Sequence, residues 1–184
     1  MNSKNKNKIL LIMPPQKGLL SGFATGLISI ANFVEAMIPE VSTEILDLTA
    51  HSFCSAKIEI TRSLTKEQKQ TVFAGITTTT ASYQSALEIA KFIKQVNHQT
   101  VVIFGGHHAS ADPEIVLRSH PQLVDLVVIG EGERSFCELI RHYPTLRNVS
   151  GLAFLDDTGH FILTDAYNGP QKLDNMLSYS KSRK

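Results

Sequence analysis

Val101 to Ala109 reads VVIFGGHHA, and the architecture of the chain follows from it. Four apolar residues, Val101 to Phe104, run without polar alternation, which reads as a strand buried on both faces. Such strands belong to parallel sheets covered by helices on both sides. Gly105 and Gly106 then allow a turn where a Cβ would obstruct it, and allow a large group to approach the backbone. Ligands of open α/β sheets bind in the crevice at the carboxyl ends of the strands. The Gly-Gly pair with His107 and His108 is therefore the first place to expect a ligand.

Upstream, KILLIM (Lys8 to Met13) is a second two-sided apolar strand, ended by Pro14 and Pro15. Ala24 to Ile38 reads as a helix with Leu27, Ile30, Ala31, Val34 and Ile38 on one face. Val41 to Leu48 reads as a strand. Thr49 to Ile60 carries no readable pattern, and His51 in it reads as a surface residue. Thr65 and Gln68 have capping-box spacing, which predicts a short helix over Lys66 to Gln70. Thr71 to Thr77 reads as a strand that discharges into four threonines, Thr77 to Thr80. These either extend the strand or ring a polar ligand. Ser82 can cap the following helix, whose buried face is Ala86, Ile89, Ala90, Ile93 and Val96, with Glu88, Lys91, Lys94 and Gln95 toward water.

Downstream, Asp112-Pro113 is a strong helix start, and the helix ends near His120-Pro121. Val124 to Ile129 is a fifth strand, running into a second glycine turn, Gly130-Glu131-Gly132-Glu133, and a helix to about Tyr143. Leu152 to Leu155 and Phe161 to Leu163, around Asp156-Asp157-Thr158-Gly159, read as a β-hairpin. The alternation predicts an α/β fold, a flavodoxin-like (Rossmann-like) doubly wound parallel sheet of five strands in the order 2-1-3-4-5, with a C-terminal hairpin. The expected organisation is a domain over 1–149, its hairpin extension over 150–165, and a polar linker or tail over 166–184.

Composition narrows the partners. Hydrophobic residues are 42% of the chain, enough for a real core, and the formal net charge is +1. Neither nucleic acid nor an anionic membrane is expected as the main partner. The lysines of MNSKNKNK lack interleaved aromatic residues and read as a solvated start. Ile9 to Met13 is too short for a signal peptide or a membrane span, so a cytoplasmic location is expected. Cys54 and Cys137 are far apart and make neither a disulfide framework nor a three-cysteine iron–sulfur site. Both read as small buried or half-buried fillers.

From Lys8 to about Asp165 the chain resembles the cobalamin-binding domain that precedes the barrel of cobalamin-dependent radical S-adenosylmethionine enzymes. The resemblance is carried, in order, by KILLIM with Pro-Pro, FATGLISIANFVEA, GITTTTASYQSALEIAKFIK, FGGHHASADPEIVL, VDLVVIGEGERSFCELI and GLAFLDDTGHFIL. Ala24-Thr25 departs from the family's Pro-Leu-Gly-Leu helix start. The resemblance implies bound cobalamin with its nucleotide tail inserted along the sheet. It implies a cofactor-binding set of Pro15, Thr77, Thr79, Tyr83, Gly105, Gly106, His107, His108, Gly130, Glu131 and Gly132. No catalytic residue and no protein ligand to a metal is implied. The loop PPQKGLLSGFA has no histidine to bind cobalt, unlike the Asp-x-His-x-x-Gly loop of the methionine-synthase-like domains. The chain also lacks the family's Cys-x-x-x-Cys-x-x-Cys motif, so no iron–sulfur cluster and no catalysis by the chain alone is expected. An excised domain, a truncated gene product and a partner for a radical S-adenosylmethionine barrel in trans all fit.

Two other readings stand beside the cobalamin module. One is a flavodoxin-like regulatory or protein-interaction domain without a cofactor. The other is a small enzyme using His107 or His108 as acid or base, against which no nucleophile or carboxylate is paired with either in sequence. The histidines read equally as hydrogen-bonded loop residues. Glu131 and Glu133 read as solvated carboxylates that favour a helix dipole. Gly106 is glycine either because a cofactor tail passes it or because its φ is positive.

Overall fold

The computed structural model describes residues 7–16, 24–65 and 72–166. The elements are β1 (Lys8–Met13), α1 (Thr25–Met37), β2 (Ser42–Asp47), α2 (Phe53–Thr65), β3 (Val72–Thr77), α3 (Tyr83–Val96), β4 (Val101–Gly105), α4 (His107–Ala111), α5 (Pro113–Ser119), β5 (Leu126–Val128), α6 (Gly132–His142), β6 (Leu152–Leu155) and β7 (Phe161–Leu163). The first five strands are parallel in the order β2-β1-β3-β4-β5, as the alternation predicts.

The hairpin differs from expectation. It is no appendage to a five-stranded sheet but continues it, so the sheet has seven strands and is mixed. β5 has only three residues and would leave a bare edge of backbone donors and acceptors. β6 pairs with it antiparallel, Val127 opposite Ala153, and so covers that edge and buries Leu152 and Ala153 completely.

Period-two alternation sends each strand's side chains to two cores. Leu10, Ile12, Ala74, Ile76, Val102 and Phe104 face α2, α3, α4 and α5. Ile9, Leu11, Phe73, Val101 and Ile103 face α1 and α6. Cys54 and Cys137 lie on helices of opposite faces. Cys137 is a buried filler, and burial pushes its thiol pKa up. Cys54 is exposed, contrary to expectation, because it precedes the buried stripe of its helix.

The unread stretch holds α2. Ala56, Ile60 and Leu64 are its buried stripe, one residue per turn and so too narrow to stand out. Its start signal is Ser52, whose Oγ accepts the Ser55 N–H at 3.2 Å and whose carbonyl accepts from Ala56. The helix expected over Lys66 to Gln70 lies outside the described residues, as do 167–184 of the expected tail. Lys94 does not face water. Its Nζ lies 2.6 Å from Asp125 and 2.9 Å from the Thr100 carbonyl, tying α3 to the amino ends of β4 and β5. A long lysine stem allows this from an outward position.

The hairpin turn supplies a pH probe. Asp156 accepts from the Thr158 hydroxyl and amide and from the His160 amide. These bonds favour the charged form and hold its pKa at about 2, below the usual 3.8. A depressed carboxylate pKa stabilises the turn above the unfolded value, and that stabilisation is lost as pH falls from about 3.8 through about 2. The Thr158 and His160 amide resonances should therefore titrate with a midpoint near 2. A midpoint at or above 3.8 would show that these bonds do not hold the carboxylate.

A glycine-lined slot at the carboxyl ends of the strands

The strand register builds the site in two rows on the α1/α6 face. The lower row is Leu11, Gly75 and Ile103, cross-paired on adjacent strands. The upper row adds Thr77 opposite Gly105. Each row has a glycine where its neighbours have side chains: the space over Gly75 is taken by the Phe136 ring, and the space over Gly105 is left open as a furrow. Leu27 and Ile30 of α1 and Phe136 of α6 roof it, leaving a cavity of about 370 Å³. The Phe136 ring edge lies 3.0 Å from where a Gly75 Cβ would stand. Gly75 is therefore glycine because an aromatic ring sits against its backbone.

The four threonines divide their work. Thr77 is half-buried and lines the slot. Thr78 is fully buried: its hydroxyl donates to the Gly105 carbonyl at 2.7 Å and accepts the Ala109 N–H at 3.1 Å. Thr79 makes a reciprocal turn with Ser82. The Thr79 N–H donates to Ser82 Oγ at 3.0 Å and the Ser82 N–H to Thr79 Oγ1 at 3.2 Å. Ser82 thus occupies the cap position of α3 without capping it by its own side chain. Thr80 is exposed and lies 3.4 Å from His108 Nδ1.

The glycine pair also splits. Gly106 has φ 89° and ψ 176°, a region only glycine occupies without strain. A Cβ there would lie 2.6 Å from the Thr78 carbonyl oxygen. Backbone geometry alone requires that glycine. Gly105 has only the Val128 carbonyl oxygen, at 3.8 Å, near its missing Cβ, and its face of β4 is the slot face. The expected loop after Gly106 is the short helix α4. His107 is exposed and lines the slot. His108 turns to the other face, its ring 4.2 Å from that of Tyr83. Tyr83 also meets Phe104 edge-on, and burial pushes its phenol pKa up.

At the end of β5, Gly130 has φ 72° and open space around its missing Cβ. Glu131 is exposed at the start of α6 and Gly132 packs under Ile30. Glu133 is half-buried rather than solvated, because the Ser29 hydroxyl donates to its Oε1 at 2.6 Å and joins α1 to α6.

The slot therefore gathers Thr77, Gly105, Gly106, His107, Gly130, Glu131 and Gly132 of the expected set. Pro15 ends β1 outside its lining, and Thr79, Tyr83 and His108 lie at the α3/α4 side. Gly75, Phe136 and Ser110 line it and were not singled out from sequence, and Glu133, read from sequence as a solvated carboxylate, lines it too. For Gly75 the signal was legible: a lone glycine inside an apolar strand marks a close approach. The slot has an apolar floor, glycine walls and a polar mouth. That donor set suits a flat, mostly apolar ring carrying a sugar phosphate, which is the chemistry of cobalamin's nucleotide tail.

Residues 21–140 match the B12-binding domain family. An uncharacterised methyltransferase of Pyrococcus horikoshii is 32% identical over 151 residues, spanning 79% of this chain and 31% of its own. The radical S-adenosylmethionine methyltransferase TsrM of Kitasatospora setae, solved with cobalamin and a 4Fe-4S cluster, superposes with a TM-score of 0.70 at 18% identity, over 88% of this chain and 29% of its own. The cobalamin-dependent S-adenosylmethionine radical enzyme OxsB, solved with aqua-cobalamin and S-adenosylmethionine, gives a TM-score of 0.65 at 17% identity, over 88% of this chain and 22% of its own. The chain thus spans less than a third of the length of these relatives. It belongs to the B12-binding domain family, and cobalamin is its cofactor. The cofactor-free reading gives way to this assignment. Among the described residues no helix is long and apolar enough to cross a membrane.

Proposed function

We propose that this chain is the cytoplasmic cofactor module of a radical S-adenosylmethionine methyltransferase-type system. It holds cobalamin base-off, with the tail in the slot and no protein histidine on cobalt. The radical chemistry is supplied by a barrel carrying a three-cysteine cluster site, joined to the module or acting in trans. Residues 1–149 form the module, 150–165 its sheet extension and 166–184 a linker. The observation that carries this reading is the slot itself, in which the bare face of Gly105 leaves a furrow between the sheet and α1/α6, bounded by the Phe136 ring that closes over Gly75. A tail drawn into that furrow takes its base away from the metal. The segment after β1 holds no imidazole to replace it.

Electron paramagnetic resonance of the cobalt(II) form tests this. The expected spectrum has no nitrogen superhyperfine splitting. Splitting that persists in His107→Ala shows the tail base still on cobalt and overturns the base-off reading. Splitting lost in that variant makes His107, at the mouth of the slot, a metal ligand and overturns the histidine-free reading.

A further inference from the structure

We infer that the slot selects the tail base of the cofactor, accepting benzimidazole or phenolic bases and rejecting purines. This rests on the reading that the tail enters the slot.

The floor is made of Leu11 and Ile103 on the strands, and Leu27, Ile30 and Phe136 roof it, the Phe136 ring closing on the backbone of Gly75. None of these side chains carries a hydrogen-bonding group. The backbone donors and acceptors of Leu11, Gly75 and Ile103 are engaged in the parallel ladder between β1, β3 and β4. The polar groups of the slot, Thr25, Thr77, His107, Ser110 and Glu131, lie at the strand ends or on the helices that border them. Glu133 is the carboxylate nearest the roof, and its Oε1 accepts from Ser29, which anchors it in the seam between α1 and α6 above the apolar floor. A base driven to the floor therefore meets carbon on its faces and edges.

That environment separates the known chemical classes of cobamide tail. Dimethylbenzimidazole exposes methyl groups and a fused benzene ring at its far edge, and a phenolic tail ends in a substituted benzene ring. At that edge both bury apolar area without a polar cost. Adenine carries an exocyclic amine and ring nitrogens at that edge. Burying them unpartnered forfeits their bonds to water. Edge contact with the Phe136 ring adds an aromatic term common to all three bases.

The test is a ladder of cofactors titrated against the whole chain in the cobalt(I) state. There the metal is four-coordinate and none of the bases is bound to it, so detachment of the base does not enter the balance. Anaerobic ultrafiltration reads free against bound cofactor for cobalamin, a phenolic-tail cobamide, an adenine-tail cobamide and tail-less cobinamide. Cobalamin and the phenolic cobamide should bind within about threefold of each other, and the adenine cobamide about tenfold or more weaker, the loss expected for an unpartnered buried polar edge. Cobinamide should be weaker than cobalamin. If cobinamide binds as tightly as cobalamin, the tail is not in the slot and the underlying reading fails. If cobinamide is weak but the adenine cobamide equals cobalamin, the tail is inserted and the selectivity is refuted. A phenolic cobamide as weak as the adenine one also refutes it, since the phenolic ring carries no polar edge and its loss would have to come from ring shape instead.

Discussion

Gly105→Val is expected to cripple cobalamin binding while the domain stays folded. Gly105 ends a strand with no positive φ, and β-branched residues suit strands. Its missing Cβ points to the slot face with nothing closer than 3.8 Å. The protein can therefore hold valine there, and the branched carbons occupy the furrow proposed for the tail. Affinity should fall roughly 10- to 100-fold, the overpacking cost of about 1–3 kcal/mol converted at about 1.4 kcal/mol per tenfold. The unfolding midpoint should move by less than about 3 °C. Gly106→Val is the instructive contrast. Its glycine-only backbone and the 2.6 Å approach to the Thr78 carbonyl should cost about 3 kcal/mol or more of stability, so lost binding there says nothing about a tail. A side chain at Gly151 would likewise cost stability, since its Cβ would lie 2.5 Å from Ser135 Oγ, so that glycine cannot serve as a neutral control. Gly159→Asn serves instead: its φ of 79° is one asparagine tolerates, and the space around it is open. Full affinity in a folded Gly105→Val, with Gly159→Asn also binding, would remove the furrow as the tail site.

The second large effect is at the roof. Phe136 is 3% exposed and its ring lies on the backbone of Gly75. Phe136→Ala should cost about 3–5 kcal/mol, lowering the midpoint by roughly 10 °C. Gly75→Ala should cost about 1–3 kcal/mol, because its Cβ meets Phe136 at 3.0 Å and Leu11 at 3.1 Å in a filled interior. The two changes act on one contact. In the Phe136→Ala background the added methyl has room, so Gly75→Ala should then cost much less. Chemical denaturation of the four proteins of the cycle reads this directly. Strictly additive losses would show that the ring does not rest on Gly75.

The parallel order, the two glycine turns and the face of α1 were legible because each is a local pattern. Two-sided strands announce burial on both faces, and Asp112-Pro113 announces a helix start. The same local logic misled at the threonines. Four identical residues look like one feature, yet the chain turns through them. Each hydroxyl then meets a different neighbour: the slot, the Gly105 carbonyl, Ser82 and His108. His107 and His108 separate for the same reason. They are adjacent on a helix, where successive side chains point about 100° apart.

What the amino-acid sequence determined by itself is the α/β alternation, the strand order of the parallel part and the end of the sheet at which the slot opens. Those follow from hydrophobic period, from proline and glycine, and from the handedness of crossovers. What only the tertiary structure decided is which residues share the slot. Gly75 lies under Phe136, 61 positions later in the chain, only because β3 and α6 fold together. The same holds for the Ser29–Glu133 bond across α1 and α6, and for the hairpin's place on the open edge of β5. Such contacts are set by register and packing between distant segments, which no window of neighbouring residues contains.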